Sequence, residues 1–323
     1  MQLVDAATTH RHLPFPALIE ALRSMFVSGC DVPLRSTHKV GDAGTILLMP
    51  AWRAGARLGI KTVTIVPGNS ERGLPGLHSI YLLFDAATGV PLAQLDGNEI
   101  TSRRTAAVAA LAASYLARAD ARRLLILGTG RVAQLLAEAM RVVRPIDEVV
   151  VWNHRPASAR ALAGTLRTAG FDASATDDLE HAVGRADIVS CATLSTAALV
   201  RGARLRPGTH LDLIGSFTPQ MREADATCFA RSRVFVDTPE ALAKSGDVLG
   251  AIAEGAFTAD RLQGTLAELC AGTRAGRVDA TERTLFKAVG SALEDLAAAE
   301  LVWGAVQRES LSSAGSKPDD PAK

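Results

Sequence analysis

Two groupings of residues in this chain have the types and spacing to do chemistry: a glycine-rich turn suited to a dinucleotide and a set of cations suited to an anion. The turn is Gly128-Thr129-Gly130-Arg131-Val132-Ala133, a G-x-G-x-x-A that directly follows Leu124-Leu125-Ile126-Leu127 and opens an apolar helical stretch. The first glycine permits a tight turn, the second omits a side chain where pyrophosphate approaches the backbone, and Ala133 lets the helix pack on the strand. Unpaired N–H groups and the positive end of the helix dipole then face the anion. A glycine-rich turn alone is often only structural. The strand before it, the helix after it and the strand that follows are what point to a cofactor.

The second strand bears on which dinucleotide is bound. NAD sites carry Asp or Glu at that strand's C-terminal end, to accept from the ribose 2′-OH. Asp147 and Glu148 stand at the right distance from the glycines but begin the strand, whereas its end reads Val151-Trp152-Asn153-His154-Arg155. A carboxylate there would repel a 2′-phosphate, and Arg155 can pair with one bidentately. The plainer reading of Arg155 is a cap on a solvated loop. The expectation is a site that favours NADP(H) over NAD(H), formed by Gly128, Thr129, Gly130, Arg131, Val132, Ala133, Asn153, His154 and Arg155, with Thr193 after a later strand.

The cations are Arg35 in Pro33-Leu34-Arg35-Ser36, Lys61 in Gly59-Ile60-Lys61-Thr62-Val63, and Arg104 in Thr101-Ser102-Arg103-Arg104-Thr105. Lys61 is the most informative, because an ammonium inside a β-branched run is costly to bury unless an anion compensates it. A ligand carboxylate is one such anion. From composition alone, a surface or salt-bridged cation is the commoner fate of each.

The elements that must position these groups follow from periodicity. A helical stretch at 15–27 and an apolar run at 45–49 open the chain; a β-branched run at 59–66 and further strands at 77–84 and 91–95 are separated by turns, and an Ala/Leu-rich helix covers 99–118. Beyond 119 the pattern alternates strand and helix: strands at 122–127, 148–152, 187–192, 209–214 and 234–237, helices at 132–143 and 157–169. That alternation predicts a doubly wound parallel sheet. A last helix is expected at 281–306, returning to the first domain, and a disordered Ser/Gly/Pro/Asp-rich tail after it.

The fold class expected is therefore α/β: a Rossmann domain over 119–290, an α+β domain over 1–118 plus 291–310, and a tail over 311–323. A length of 323 residues, 48% hydrophobic and 21% charged, fits two soluble domains. A net charge of +1 with short, isolated Arg pairs suggests no nucleic-acid partner. The four cysteines have no ligand spacing, the N-terminus lacks a signal-peptide pattern, and no apolar run reaches the ~20 residues of a membrane span. A reduced, cytoplasmic chain without membrane insertion is expected. His10 and His12, on an N-terminus expected to be flexible, lack a third ligand, so no metal is expected.

Taken in order, several stretches resemble the ornithine cyclodeaminase and mu-crystallin family. They are Gly59-Ile60-Lys61-Thr62-Val63-Thr64 with Pro67-Gly68-Asn69, Leu83-Phe84-Asp85 through Gly89, Ile100-Thr101 through Ala107, the Gly128 turn, Ile214-Gly215 through Pro219, Arg222-Glu223, Gly246-Asp247, Phe286 through Gly290, and Glu294-Asp295. The resemblance spans nearly the whole chain. It implies a homodimer whose first domain binds a small amino or imino acid and forms the dimer sheet, with Arg35, Lys61 and Arg104 on the substrate carboxylate. Family cyclodeaminases carry Gly-Gly-Asp-Cys-Pro-Gly where this chain reads Gly215-Ser216-Phe217-Thr218-Pro219, so their acid is Phe217 here. A phenyl ring neither accepts a proton nor binds an ammonium through a carboxylate. The resemblance is nearest to the family's ketimine reductases, which implies reduction of Δ1-pyrroline-2-carboxylate or Δ1-piperideine-2-carboxylate, with Lys61 as a candidate proton donor.

Ornithine cyclodeaminase or alanine dehydrogenase activity is the alternative; it needs another acid, such as Asp96, Glu99 or Asp237. A protein that binds NADP and a small ligand without turnover is the non-enzymatic one.

Overall fold

The computed structural model describes residues 1–41 and 44–314. The chain forms two compact units: one comprises Met1–Ala21, Gly29–Thr101 and the segment from Ala292, the other Leu22–Ser28 and Ser102–Ser291. The division falls inside the helix Gly97–Leu116, whereas the sequence pattern suggested a change at 118.

The first unit is built on a six-stranded sheet: β1 (Gln2–Val4), β2 (Ser36–Val40), β3 (Gly44–Arg53), β4 (Arg57–Ile65), β5 (Leu77–Asp85) and β6 (Pro91–Asp96), in the order β1-β6-β5-β4-β3-β2. Only β1 runs parallel to its neighbour, and the rest are antiparallel meanders. Alternation sends Gly59, Lys61 and Val63 of β4, and Ser79, Tyr81 and Leu83 of β5, to one buried face. Lys61 therefore lies directly between Met49 and Tyr81. The helix Ala292–Ala314 packs on β3 and β4.

The N-terminus departs from expectation: β1 pairs with β6, and Asp5 caps the helix Ala6–Arg11 by accepting from the Thr8 N–H at 2.8 Å. His10 and His12 are held by Glu99 at 2.7 Å and Glu309 at 3.2 Å.

The second unit is an eight-stranded, all-parallel sheet: β7 (Arg123–Leu127), β8 (Glu148–Trp152), β9 (Asp172–Ala175), β10 (Ile188–Cys191), β11 (His210–Leu213), β12 (Arg233–Val236), β13 (Leu262–Thr265) and β14 (Thr284–Lys287). Its order is β13-β12-β14-β11-β10-β7-β8-β9. From β7 the chain adds β8 and β9 on one side and then crosses to β10 on the other. The switch in direction opens a crevice at the C-terminal ends of β7 and β10, where doubly wound sheets bind ligands.

The stretch 281–306 corrects the sequence-based expectation of one helix. Thr284–Lys287 form a fully buried strand inserted between β11 and β12, and a helix starts only at Ala292. Four residues, Thr-Leu-Phe-Lys, are too few for their period to separate strand from helix. Gly290, at φ +78°, then sets a backbone turn that a side chain would oppose. The tail is corrected too: the helix continues through 309–314, and residues 315–323 lie outside those described.

Candidate functional site

Gly128 follows β7 with φ +106°, and a Cβ there would stand 2.5 Å from the Ala192 carbonyl oxygen. Both conformation and contact demand glycine. Gly130 differs. It caps the helix Arg131–Val143 at an ordinary φ of −71°, and a Cβ built on it meets no protein atom within 4 Å. The space it leaves belongs to a cavity of about 390 Å³ lined by residues 128–130, 152–155 and 192–195 together with Leu199. A helix N-terminus over a space kept free of side chain fits the pyrophosphate of a dinucleotide. Arg131, Val132 and Ala133 open the helix and do not line this cavity; Ala133 is fully buried in the packing behind it.

Asn153 is buried at the end of β8; its Nδ2 donates to Thr129 Oγ1 at 2.5 Å and its Oδ1 accepts from the Arg155 N–H at 3.3 Å. It thereby ties the first βα turn to the second. Among the described residues lining the cavity there is no carboxylate. Asp147 and Glu148 sit at the opposite, N-terminal end of β8, paired with Arg122 and Arg123. Arg155 is the exposed N-cap of the helix Pro156–Thr168, and its side chain makes no capping bond.

The far wall of the cavity is Thr193, held by a carboxylate to which sequence reasoning assigned no role. Glu223 is fully buried and accepts from Thr193 N (2.7 Å), Thr193 Oγ1 (2.7 Å), Gly215 N (2.9 Å) and Ser216 N (3.2 Å). Burial pushes its carboxyl up to about 7, while Lys287 and the Thr193 donors pull toward the ionised form. Asp247 accepts from the backbone N–H groups of Glu223 and Ala224, and its other oxygen lies 3.2 Å from Lys287 Nζ. The available signal was the Arg222-Glu223 pair among the stretches that resemble the family.

Arg104 is buried in the helix Gly97–Leu116, its guanidinium against Gly290: a Cβ there would lie 2.8 Å from Nη1. Asp237 shapes that turn by accepting from Val289 N and Gly290 N, both at 2.7 Å, and burial raises its carboxyl. Phe217 packs against Val236, Ala241 and Val289.

In the first unit, Lys61 is 2% exposed and its Nζ stands 2.7 Å from Oδ2 of the fully buried Asp295. The anion that compensates this lysine comes from the protein itself, 234 residues along the chain (295 − 61). Arg35 is half-buried immediately before β2. Asp96 accepts from the Glu99 N–H at 2.7 Å, and Glu99 holds His10, so both acids serve local structure.

The sequence profile of the ornithine cyclodeaminase/mu-crystallin family matches residues 4–310. A Schizosaccharomyces pombe protein described as uncharacterized is 46% identical over 318 residues, 94% of this chain and 96% of that one. The Delta(1)-pyrroline-2-carboxylate reductase of Paracoccus denitrificans is 42% identical over 289 residues, 88% of this chain and 90% of the relative. Among solved structures, the Thermococcus litoralis Delta(1)-pyrroline-2-carboxylate reductase in complex with NADH and L-proline superposes with a TM-score of 0.90 at 31% identity, covering 96% of this chain and 98% of that one.

Proposed function

Because the chain belongs to the ornithine cyclodeaminase/mu-crystallin family, we propose that it is a nicotinamide-dependent reductase of a cyclic imino acid. The substrate is Δ1-pyrroline-2-carboxylate or Δ1-piperideine-2-carboxylate and the product L-proline or L-pipecolate. The observation that carries this reading is Phe217, packed on an apolar cluster where the family's cyclodeaminases place an acid. A protonated cyclic imine is already an electrophile and needs no such acid, whereas handling a substrate amine does. The P. denitrificans and T. litoralis reductases support the same substrate class.

When bound, the dinucleotide supplies the hydride. Residues 128–130 hold its pyrophosphate by backbone N–H groups and helix dipole, and Thr193 borders the crevice on the other side of the switch point. Arg35, Lys61 and Arg104 bind the substrate carboxylate through charge-assisted hydrogen bonds. Asp295 keeps the Lys61 ammonium compensated, and an ammonium has three N–H groups to distribute. Lys61 is also the proposed proton donor where the ring nitrogen arrives as the neutral imine. Orientation of the two reactants supplies on the order of 7 to 11 kcal/mol of barrier lowering. We place NADP(H) ahead of NAD(H), because Asn153 stands where an acid would repel a 2′-phosphate and Arg155 follows it.

The proposal extends to a cytoplasmic homodimer. The four cysteines are free, and no helix among the described residues is long and apolar enough to cross a membrane. A cyclodeaminase or alanine dehydrogenase would need a substitute acid, and Asp96, Glu99 and Asp237 are all committed to backbone or histidine partners. Steady-state assays of pyrroline-2-carboxylate, piperideine-2-carboxylate and ornithine with NADPH, NADH, NADP⁺ and NAD⁺ test the reading. Turnover of a cyclic imine, fastest with NADPH, is expected. Conversion of ornithine to proline without imine reduction overturns it.

A further inference from the structure

Glu223 takes part in no step of the proposed reaction, yet its environment is more fully built than that of any group lining the cavity. Each carboxylate oxygen accepts two donors: Oε1 from Thr193 N and Oγ1, Oε2 from Gly215 N and Ser216 N. That fills the acceptor capacity of the carboxylate. The donors come from the segments that leave β10 and β11 at their C-terminal ends, on the side of the switch point away from Asn153. Gly215 has no room for a side chain, because a Cβ would run into Thr193 O and Glu223 Oε1.

The clamp is itself anchored. Asp247 Oδ1 takes the Glu223 and Ala224 N–H groups at 2.7 and 3.0 Å, and Asp247 pairs with Lys287 at the end of β14, all with no exposed surface. On the cavity side, the Thr193 hydroxyl accepts from the Ser195 N–H at 3.3 Å, and the Arg222 N–H donates to Ser195 O at 2.7 Å. A line of polar contacts thus runs from a buried ion pair in the sheet to the half-buried cavity wall. The donors to Glu223 belong to Thr193, Gly215 and Ser216 and not to Gly128–Gly130 or Asn153, where the pyrophosphate and adenosine ribose belong.

We propose that Glu223 is a positioning residue for the nicotinamide half of the cofactor: by clamping Thr193 to Gly215 and Ser216 it holds rigid the wall on which that half rests. This rests on the assignment of the cavity as a dinucleotide site. A preorganised wall lowers the ordering cost of binding, so loosening it weakens only ligands that touch it.

The test compares wild type, Glu223→Gln and Glu223→Asp by fluorescence titration, using Trp152 in the cavity wall. The probes are NADPH, NADH and 2′-phospho-ADP-ribose, which lacks the nicotinamide; unfolding midpoints are measured alongside. Glutamine keeps the size but sets an NH₂ against N–H donors, while aspartate keeps the charge and withdraws it by one methylene. In either folded variant the Kd for NADPH is expected to rise tenfold or more, with that for the fragment within twofold. Equal loss of dinucleotide and fragment reveals a merely structural role and overturns the inference, as does unchanged NADPH binding. A wild type that binds neither probe overturns the cofactor reading and the inference together.

Discussion

The cavity beside the Gly128 turn and the Lys61–Asp295 pair accommodate charge in two different ways. Among the described residues the cavity is lined without a carboxylate, and it offers glycine, backbone N–H groups and a helix end, all within a few residues of Gly128. The pair buries a full positive charge and balances it with a full negative one from the other end of the chain. Partial charges on backbone need no counterion, so their surroundings can stay open to a ligand. A buried ammonium does need one, and the fold supplies it whether or not a ligand is present.

The largest effect is expected where the charge balance breaks. Asp295→Asn leaves the Lys61 ammonium without its buried counterion and should lower unfolding stability by about 3–5 kcal/mol, read from urea melts. Adding Lys61→Met should recover much of that loss. If the single variant melts like wild type, the contrast between the two regions falls.

A second effect tests neutral burial within the parallel sheet. His210 at the start of β11 is fully buried, with Nδ1 3.0 Å from Thr284 Oγ1, and burial pulls its pKa down to about 3 from 6.5. The unfolded chain then binds the proton first. Stability from this residue is complete above pH 6.5 and is lost as pH falls toward 3, by up to about 1.4 kcal/mol per pH unit. His210→Gln should remove this part of the acid loss, seen in melts at pH 7, 6 and 5.

Smaller effects belong to the cavity, where the fold is expected to tolerate what the ligand does not. Gly130→Ala puts a methyl into space that no protein atom occupies. It should weaken NADPH on the order of thirtyfold, about 2 kcal/mol, while changing stability by less than about 1 kcal/mol. An equal loss of stability would show that the space serves packing instead. Asn153→Asp restores the acid of NAD-type sites and should shift the NADPH-to-NADH preference by roughly tenfold, about 1.4 kcal/mol. No shift in the ratio of Kd values would remove Asn153 as a determinant.

The same contrast explains what could be read from residues alone. The Gly128 turn was legible because its parts are contiguous in the sequence, between a strand and the helix it opens. Strands β4, β5, β7 and β8 were legible through alternation or apolar runs bounded by turns. The strand Thr284–Lys287 was not: four buried residues beside a long helical pattern carry no period of their own. Glu223 and Asp247 were present in recognisable motifs, but the donors that define their work lie on other strands.

By itself the sequence determined the strand–turn–helix around Gly128, the missing acid at Asn153 and the phenyl ring at Phe217, since each depends on side-chain type at a locally set position. Only the tertiary structure decided that Lys61 is balanced by Asp295, that Glu223 braces Thr193, and that β14 lies mid-sheet. Coulombic and hydrogen-bond partners are chosen by distance in space, and residues hundreds of positions apart carry no mark of one another until the chain has folded.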